Sequence, residues 1–555
     1  MADKQHADAN NHNADSSGNK GTNRQGSKSS PQQPDQPFFD PLAYGNGPDD
    51  SVTDSAEHAA VTHHSLTLAG QTLAYTATAG HLVAVDASSS LPAAKIFYVA
   101  FTLDGAQPDN RPVTFFYNGG PGSSSVYVLL GSFAPKRIKT AMPDFTPPAP
   151  YTLEDNSDSL LDISDLVFIN PVGTGYSAAI APHRNRDFWG VDQDARSLAQ
   201  FIKRYLTAND RWNSPKFLYG ESYGTARSAV LSYILHEDGI DLNGVTLQSS
   251  ILDYAKTGQP VGLLPTCACD AQYHNKLNIT PAPADPAALA PQAAAFASGD
   301  YAAALAAYPK IDDAFLAKLS DFTGIDGKTL IGWSLDVGAY NSRGNSLFLV
   351  TLLQAQGLAL GSYDGRVSAI NTGIAAVIDP NSGGNDPAMT AVNGAYTAMW
   401  NSYLNDGLKY TSTSSFTDLN DQAFQYWDFH HTDPTGAEKG VDAKGNPILY
   451  TAGDLAATMS LNVDLRVLSA NGFYDFVTPF YQTQLDLQAM PLLSASIRQN
   501  LQITFYPSGH MIYLNSDART VLKADLASMY RQATGDTEAL NRIRLLQQRK
   551  PAAKL

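Results

Sequence analysis

A serine between two glycines, placed where a strand pattern meets a helix pattern, restricts most how this chain can fold. The stretch KFLYGESYGTARSAVL, residues 216–231, runs from an apolar run through Gly-Glu-Ser-Tyr-Gly into a helix-favouring segment. Such a turn exposes the serine hydroxyl above the strand ends, and side chains at Gly220 and Gly224 would collide with neighbouring backbone. This context predicts that Ser222 is a catalytic nucleophile rather than a buried structural serine.

Strand and helix patterns alternate on both sides of this turn. Apolar strand patterns at 111–118 and 165–173 come before it, separated from it by an amphipathic helix pattern at 192–210. Further strand patterns follow at 242–250 and 461–472. Because strands that alternate with helices form a parallel sheet covered on both faces, we predict an α/β fold with a mostly parallel central sheet flanked by helices.

A long segment of different composition interrupts this alternation. Residues 262–455 are rich in Ala and helical in pattern, with loops rich in Gly and Asn. Strand patterns then return, followed by a helix from Ser516 onward. We therefore predict one core, made of residues 57–261 and 456–555, that is split by a largely helical cap insertion.

Residues 1–56 are polar and rich in Asn, Asp, Ser, Gln and Gly. Such a composition buries too little apolar surface to offset the entropy of ordering, so we predict a disordered tail whose removal costs neither activity nor stability. The segment also lacks the apolar middle region of a secretory signal. We expect a cytoplasmic protein if Met1 is the true start, and a periplasmic or secreted one if the true start lies upstream.

Charge and cysteine content exclude several classes of partner and cofactor. The 555 residues include 37 Lys and Arg against 53 Asp and Glu, a net charge of −16, whereas nucleic acids and anionic membranes need a basic surface. No apolar run reaches the roughly 18 residues of a spanning helix. Cys267 and Cys269 stand too close for an unstrained disulfide and, even with His274, make an incomplete zinc site. We predict no metal or organic cofactor, and the oligomeric state is left open.

A serine nucleophile needs a histidine base, and the base needs an orienting carboxylate. In a strand–turn–helix site of this kind these follow the serine in the order acid, then histidine, on loops after later strands. His510, in FYPSGHM, follows a strand of the resumed sheet, and Asp475, in NGFYDFV, lies beyond the end of the strand before it. Asp464 lies at the start of that strand, whereas the acid is expected on the loop after its end. The other histidines after the turn end a helix or fall in the insertion: His236, His274, His430 and His431. We therefore predict a triad of Ser222, Asp475 and His510.

The loop FFYNGGPGSSS, residues 115–125, is the best candidate for the second half of an oxyanion hole. It directly follows a strand pattern, and its glycines let backbone approach a substrate closely. A tetrahedral oxyanion needs two backbone donors. We predict that they are the N–H groups of Gly120 and Tyr223; the alternative is that the loop is a plain tight turn.

Five motifs, in the order NGGPGSSS, INPVGTGYS, LYGESYGTA, NGFYDFVTP and SGHM, resemble those of the serine carboxypeptidases. These are an α/β-hydrolase family that removes single C-terminal residues from peptides. The resemblance covers about 62–261 and 456–555, and it implies the α/β-hydrolase fold with the triad and oxyanion donors named above. It further implies that Asn118, Gly119 and Glu221 bind the free carboxylate of the substrate.

The chain departs from the family pattern at two positions. Ser123 stands where many members have a cysteine, so the disulfide of those members is lost without affecting the chemistry. Ser132 stands where the family often has a glutamate that pairs with the one before the nucleophile. Glu221 is thus expected to lack that partner, which leaves its pKa open.

The resemblance implies a serine-type carboxypeptidase that cleaves the C-terminal peptide bond through an acyl-enzyme, with peptides bearing a free carboxylate as partners. The alternative keeps the triad in an esterase, aminopeptidase or acyltransferase. A third reading, a catalytically silent binding protein on a hydrolase scaffold, would show as the loss of a triad member, and none is lost. Glu221 and Asn118 distinguish a carboxypeptidase from the other enzymes, since only a carboxylate-terminated substrate uses them.

Overall fold

The computed structural model describes residues 34–371, 385–437, 439–441, 445, 447–491 and 494–535. The strands in this part of the chain are β1 (Phe38–Asp40), β2 (Ala59–Leu68), β3 (Gln71–Val85), β4 (Pro92–Leu103), β5 (Val113–Tyr117), β6 (Lys136–Ile138), β7 (Leu153–Asp155), β8 (Asp165–Ile169), β9 (Ala178–Ala179), β10 (Lys216–Glu221), β11 (Gly244–Gln248), β12 (Leu358–Leu360), β13 (Ser368–Ile370), β14 (Tyr410–Ser412), β15 (Arg466–Gly472) and β16 (Leu501–Tyr506). The α-helices are α1 (Val126–Val128), α2 (Val191–Ala208), α3 (Tyr223–Glu237), α4 (Pro260–Tyr273), α5 (Pro286–Phe296), α6 (Ala302–Ala307), α7 (Asp313–Thr323), α8 (Gly327–Gly332), α9 (Leu347–Thr351), α10 (Pro387–Thr390), α11 (Asn393–Ser402), α12 (Asp421–Gln425), α13 (Ala452–Leu461), α14 (Phe480–Gln488), α15 (Ala495–Arg498) and α16 (Ser516–Thr534).

One sheet of ten strands dominates the described part of the chain. Its order is β16-β15-β11-β10-β5-β8-β4-β3-β2, with β9 beside β4. The six strands from β16 to β8 are all parallel to their neighbours. The strands β4, β3 and β2 are antiparallel, and β2 and β3 form a hairpin around Gly70. The predicted mostly parallel α/β sheet is confirmed.

Buried strands with apolar side chains on both faces explain this architecture. In β5, for example, Phe115 packs into a core with α2 and α3, whereas Phe116 points into the core on the opposite face, which contains α16. Strands buried on both faces read as continuous apolar runs, which is the pattern of the central strands here. The apolar face predicted for α2 is also buried: Leu198, Phe201, Ile202, Tyr205 and Leu206.

The insertion begins after β11 and ends before β15. These two strands are neighbours in the sheet. Helices α4 to α9 surround a third apolar cluster, whereas Tyr396, Trp400 and Tyr410 pack into the main core. The segment is therefore only partly a cap. The predicted limits at 262 and 455 stay a prediction, because residues 35–555 group as one compact unit.

Both cysteines lie buried and free in α4. In the described ranges, no three or more His, Cys, Asp or Glu side chains are grouped so that they could hold a metal ion. None of the described helices combines the length and the apolar character needed to span a membrane.

The predicted disordered tail is wrong for residues 35–56, which pack on the core. Strand β1 pairs with β14, and the carboxylate of Asp40 accepts hydrogen bonds from the hydroxyls of Tyr44 and Tyr410. Val52 is buried, and its N–H donates to the carbonyl of Ala179 in β9. The average composition of the segment does not reveal this order, because a few apolar side chains and buried polar contacts are enough to order a segment. Residues 1–33 lie outside the described residues.

Candidate active site

The predicted nucleophile lies on a strained turn between β10 and α3. Ser222 has φ 61° and ψ −128°, a conformation that a side-chain-bearing residue rarely adopts and that occurs mostly at functional sites. Its N–H donates to the carbonyl oxygen of Gln248 at 3.0 Å. A Cβ at Gly220 would stand 2.1 Å from the carbonyl oxygen of Gly224, so a side chain there would force the turn apart.

The predicted histidine and acid meet beyond the ends of β15 and β16. Nδ1 of His510 lies 2.8 Å from Oδ2 of Asp475, and both residues are buried. Oδ1 of Asp475 accepts the N–H groups of Val477 (3.0 Å) and Thr478 (2.9 Å), while the Thr478 hydroxyl donates to Oδ2 at 2.6 Å. Asp464 is exposed at the opposite end of β15. The acid is thus fixed in position by four donors.

Backbone contacts from two other segments hold the histidine. The N–H of His510 donates to the carbonyl of Tyr363 at 2.7 Å, and its own carbonyl accepts the Ser249 hydroxyl at 2.6 Å. Burial would lower the pKa of His510, but the Asp475 carboxylate outweighs it and the pKa is raised above its usual value. Because the pairing with Asp475 places a proton on Nδ1, Nε2 is left as the basic nitrogen.

Ser222 and His510 line one cavity together with four other residues of the predicted site. Its walls contain Asn118, Gly119, Gly120, Ser123, Tyr127, Glu221, Tyr363, Met389, Leu419 and Met511. Three of these, Tyr363, Met389 and Leu419, come from the insertion. The structure therefore brings the candidate residues from four distant parts of the chain to one place.

The remaining histidines are engaged elsewhere. Nδ1 of His236 lies 2.7 Å from a carboxylate oxygen of Asp241, and Nε2 of His274 lies 2.8 Å from the Gly365 carbonyl. His431 is placed between two carboxylates. The lining of the cavity contains none of these three.

The loop after β5 approaches the first turn of α3 closely. A Cβ at Gly119 would stand 2.4 Å from the amide nitrogen of Tyr223, so only glycine lets the two backbones meet. Gly120 follows with φ 101°. The insertion supports the loop, because the N–H of Asn420 donates to the carbonyl of Gly122 at 2.8 Å. This proximity suits two converging donors, and the oxyanion roles of Gly120 and Tyr223 stay a prediction.

Glu221 is a buried carboxyl group held at both oxygens. Nδ2 of Asn118 donates to Oε1 and Nε2 of Gln248 donates to Oε2, each at 2.9 Å. Burial raises the pKa of Glu221 to about 7, against the opposing effects of the nearby His510 and the hydrogen bond from Asn118. The group is therefore poised to exchange a proton near neutral pH.

Sequence reasoning missed the second partner of Glu221. The Ser132 hydroxyl donates to the carbonyl of Val128 rather than to Glu221. The partner is Gln248, the last residue of β11, which stands directly opposite Glu221 in the register of β10 and β11. A polar residue that ends an otherwise apolar strand next to the nucleophile strand was the available signal.

Part of this chain is similar to proteins of known family. A serine carboxypeptidase family profile matches residues 69–260. The probable serine carboxypeptidase CPVL of Homo sapiens is 27% identical over 175 residues, which cover 28% of this chain and 34% of that protein. Serine carboxypeptidase-like 42 of Arabidopsis thaliana is 31% identical over 160 residues, which cover 26% of this chain and 31% of that protein. This part of the chain is therefore similar to the serine carboxypeptidases.

The likeness of fold to a solved structure extends beyond this matched segment. The solved structure of a prohormone-processing carboxypeptidase from Saccharomyces cerevisiae superposes with a TM-score of 0.51 at 15% identity, covering 83% of this chain and 91% of that one. The predicted α/β-hydrolase fold is thereby confirmed. The chain spans about a third of the length of the curated relatives it matches. Asp475 and His510 lie outside the profile match, so their assignment rests on geometry.

Proposed function

We propose that this protein is a serine carboxypeptidase, which hydrolyses the C-terminal peptide bond of peptides. Nε2 of His510 takes the proton of the Ser222 hydroxyl as its oxygen attacks the scissile carbonyl carbon. The N–H groups of Gly120 and Tyr223 stabilise the oxyanion, and His510 then protonates the leaving amine of the last residue. Water, activated by the same histidine, hydrolyses the acyl-enzyme and frees the serine. Asp475 keeps the histidine in the tautomer that these steps require.

The observation that carries the exopeptidase proposal is the clamped Glu221 carboxyl in the same cavity as Ser222. A negative charge here would repel a C-terminal carboxylate, whereas a protonated carboxyl donates a hydrogen bond to it. The side chain of Asn118 and the N–H of Gly119 complete the proposed receptor. Because Glu221 directly precedes the nucleophile, a carboxylate bound there leaves a single residue beyond the scissile bond. The insertion, through Tyr363, Met389 and Leu419, is proposed to select the side chains.

The pH dependence of this receptor follows from the Glu221 carboxyl. With a pKa of about 7, it is protonated in acid and ionised above neutrality, so carboxylate binding is strong at low pH and weakens as pH rises. A bound carboxylate shifts the Glu221 pKa further upward by its like charge. His510 must be neutral to act as a base, so kcat falls in the opposite direction, as pH drops through the raised histidine pKa.

We expect KM for a blocked dipeptide with a free carboxylate to rise about tenfold per pH unit above about pH 7, as expected for loss of one proton. KM for the C-terminal amide of the same peptide should stay nearly flat. Glu221→Gln should flatten the profile of the free acid, since glutamine keeps a donor at every pH. The measurement is KM against pH for both substrates in both proteins.

The matched amide decides between this proposal and its alternatives. If the acid and the amide track each other at every pH in the unaltered protein, Glu221 does not receive a carboxylate. The exopeptidase proposal then fails, and hydrolysis of esters or transfer of acyl groups on the same triad becomes the better explanation.

A further inference from the structure

Gln248 is a fully buried amide that contacts three parts of the candidate site. Its Nε2 lies 2.9 Å from Oε2 of Glu221 and 3.1 Å from the carbonyl oxygen of His510. Its own backbone carbonyl accepts the N–H of Ser222. One residue at the end of β11 thus links the strained turn, the Glu221 carboxyl and the histidine loop.

The orientation of this amide is determined by Tyr219, in β10. The Tyr219 hydroxyl donates to Oε1 of Gln248, which directs the NH2 group toward Glu221 and His510. If the amide were turned over, its oxygen would face a carboxyl and a carbonyl, and hydrogen bonds would be lost. Both N–H groups of Gln248 are therefore committed, one to Glu221 and one to the His510 carbonyl.

The Glu221 carboxyl is consequently held between two amides of fixed orientation. On the other side, Asn118 donates to Oε1, and its own side-chain oxygen accepts the N–H of Val128 at 3.0 Å. Each amide is oriented by a third group, so the plane of the carboxyl is fixed. Pre-organisation of this kind lowers the entropy cost of binding a ligand.

We propose that Gln248 is a positioning residue for carboxylate recognition: it holds the Glu221 carboxyl in the plane that meets a substrate carboxylate and ties it to the histidine loop. This inference rests on the proposed function. The titratable groups that act on Glu221 are His510, Asp475, Tyr127, Tyr219, Tyr363, Tyr396 and Tyr513. The other carboxylate among them, Asp475, is engaged by His510. The groups beside the Glu221 oxygens are therefore neutral, namely the two amides and the Tyr513 hydroxyl.

Gln248→Glu replaces this neutral neighbour by a second acid of nearly the same shape. Two carboxyl groups at this distance share one proton over a wide pH range, and the shared negative charge repels a substrate carboxylate. Carboxylate binding then requires both groups to be protonated. We expect the rise of KM for the free-acid peptide to begin at least about one pH unit lower than in the unaltered protein. KM for the peptide amide should change less than about threefold.

Tyr219→Phe is a milder test, because it removes only the hydroxyl that orients the amide. We expect KM for the free acid to rise about five- to tenfold, as for loss of one buried hydrogen bond, with KM for the amide little changed. Tyr117→Phe is the matched control on the neighbouring strand β5, since the buried Tyr117 hydroxyl bonds to Ser228 at 2.8 Å. It should change both KM values less than about twofold.

Two results overturn the proposal for Gln248 alone. The first is a plot of KM against pH in Gln248→Glu that matches the unaltered protein, while the free acid and the amide still differ. The second is an equal rise of KM for the free acid and the amide in Tyr219→Phe. If Gln248→Glu does not fold, by circular dichroism, Tyr219→Phe against Tyr117→Phe decides. If the unaltered protein does not distinguish acid from amide, the proposed function and this inference fail together.

Discussion

Asp475→Asn is expected to lower kcat by about 10⁴-fold without unfolding the protein. The two N–H groups of Val477 and Thr478 both point at Oδ1, so the oxygen of an asparagine must stay there. Its NH2 group is then placed where Oδ2 now accepts from His510. Nδ1 of the histidine is forced to become the acceptor, and the proton moves to Nε2, the nitrogen proposed to take the proton of Ser222. The histidine can no longer act as a base because Nε2 carries the proton, although the positions of the side chains are unchanged.

Asp464→Asn is the matched control for this substitution. Asp464 is exposed at the opposite end of β15, and its replacement should leave kcat within about twofold. Ser222→Ala is expected to set the floor of activity, because it removes the proposed nucleophile. The measurement is kcat on the peptide amide and the free acid, with thermal melts of all three variants. A larger loss for Asp464→Asn than for Asp475→Asn would contradict the assignment of the acid.

Sequence patterns could predict the sheet and the meeting of Asp475 with His510, because both follow from recognisable strands. An apolar run buried on both faces is recognisable in β5 or β8 from the residues alone. The strand order and the rule that catalytic loops follow strand ends then place Asp475 and His510 together. Gly220 is constrained by the carbonyl of Gly224, four residues on, so its role could also be predicted.

The second partner of Glu221 is not marked by any local pattern, because it depends on the register between two strands. Gln248 meets Glu221 only because the two residues stand opposite each other at the ends of β10 and β11. Tyr363 contacts His510 from deep within the insertion, where no motif marks it. Contacts of this type arise from long-range packing, which one sequence does not display.

Removal of the segment 35–56 is expected to have a large effect. Its composition predicts disorder, but in the structure it packs on the core. Removal of residues 1–56 should lower the free energy of unfolding by on the order of 5 kcal/mol. The buried side chains of Tyr44 and Val52 are lost from the core, and the Tyr410 hydroxyl loses its acceptor on Asp40. A protein that begins at residue 35 keeps every one of these contacts and is the matched control.

The same truncation should also lower kcat, because the segment supports the loop that is predicted to form the oxyanion hole. Nδ2 of Asn420 donates to the carbonyl of Asn46 at 2.9 Å, while the backbone N–H of Asn420 binds Gly122. Without the segment, Asn420 loses a partner and the Gly120 loop loses part of its support.

Urea unfolding and kcat at a temperature where both proteins are folded separate the two effects. Equal stability and equal kcat in the proteins that begin at residues 35 and 57 would show that residues 35–56 contribute nothing. A loss of stability with unchanged kcat would confine their contribution to the core, since a loosened oxyanion loop must slow the chemical step.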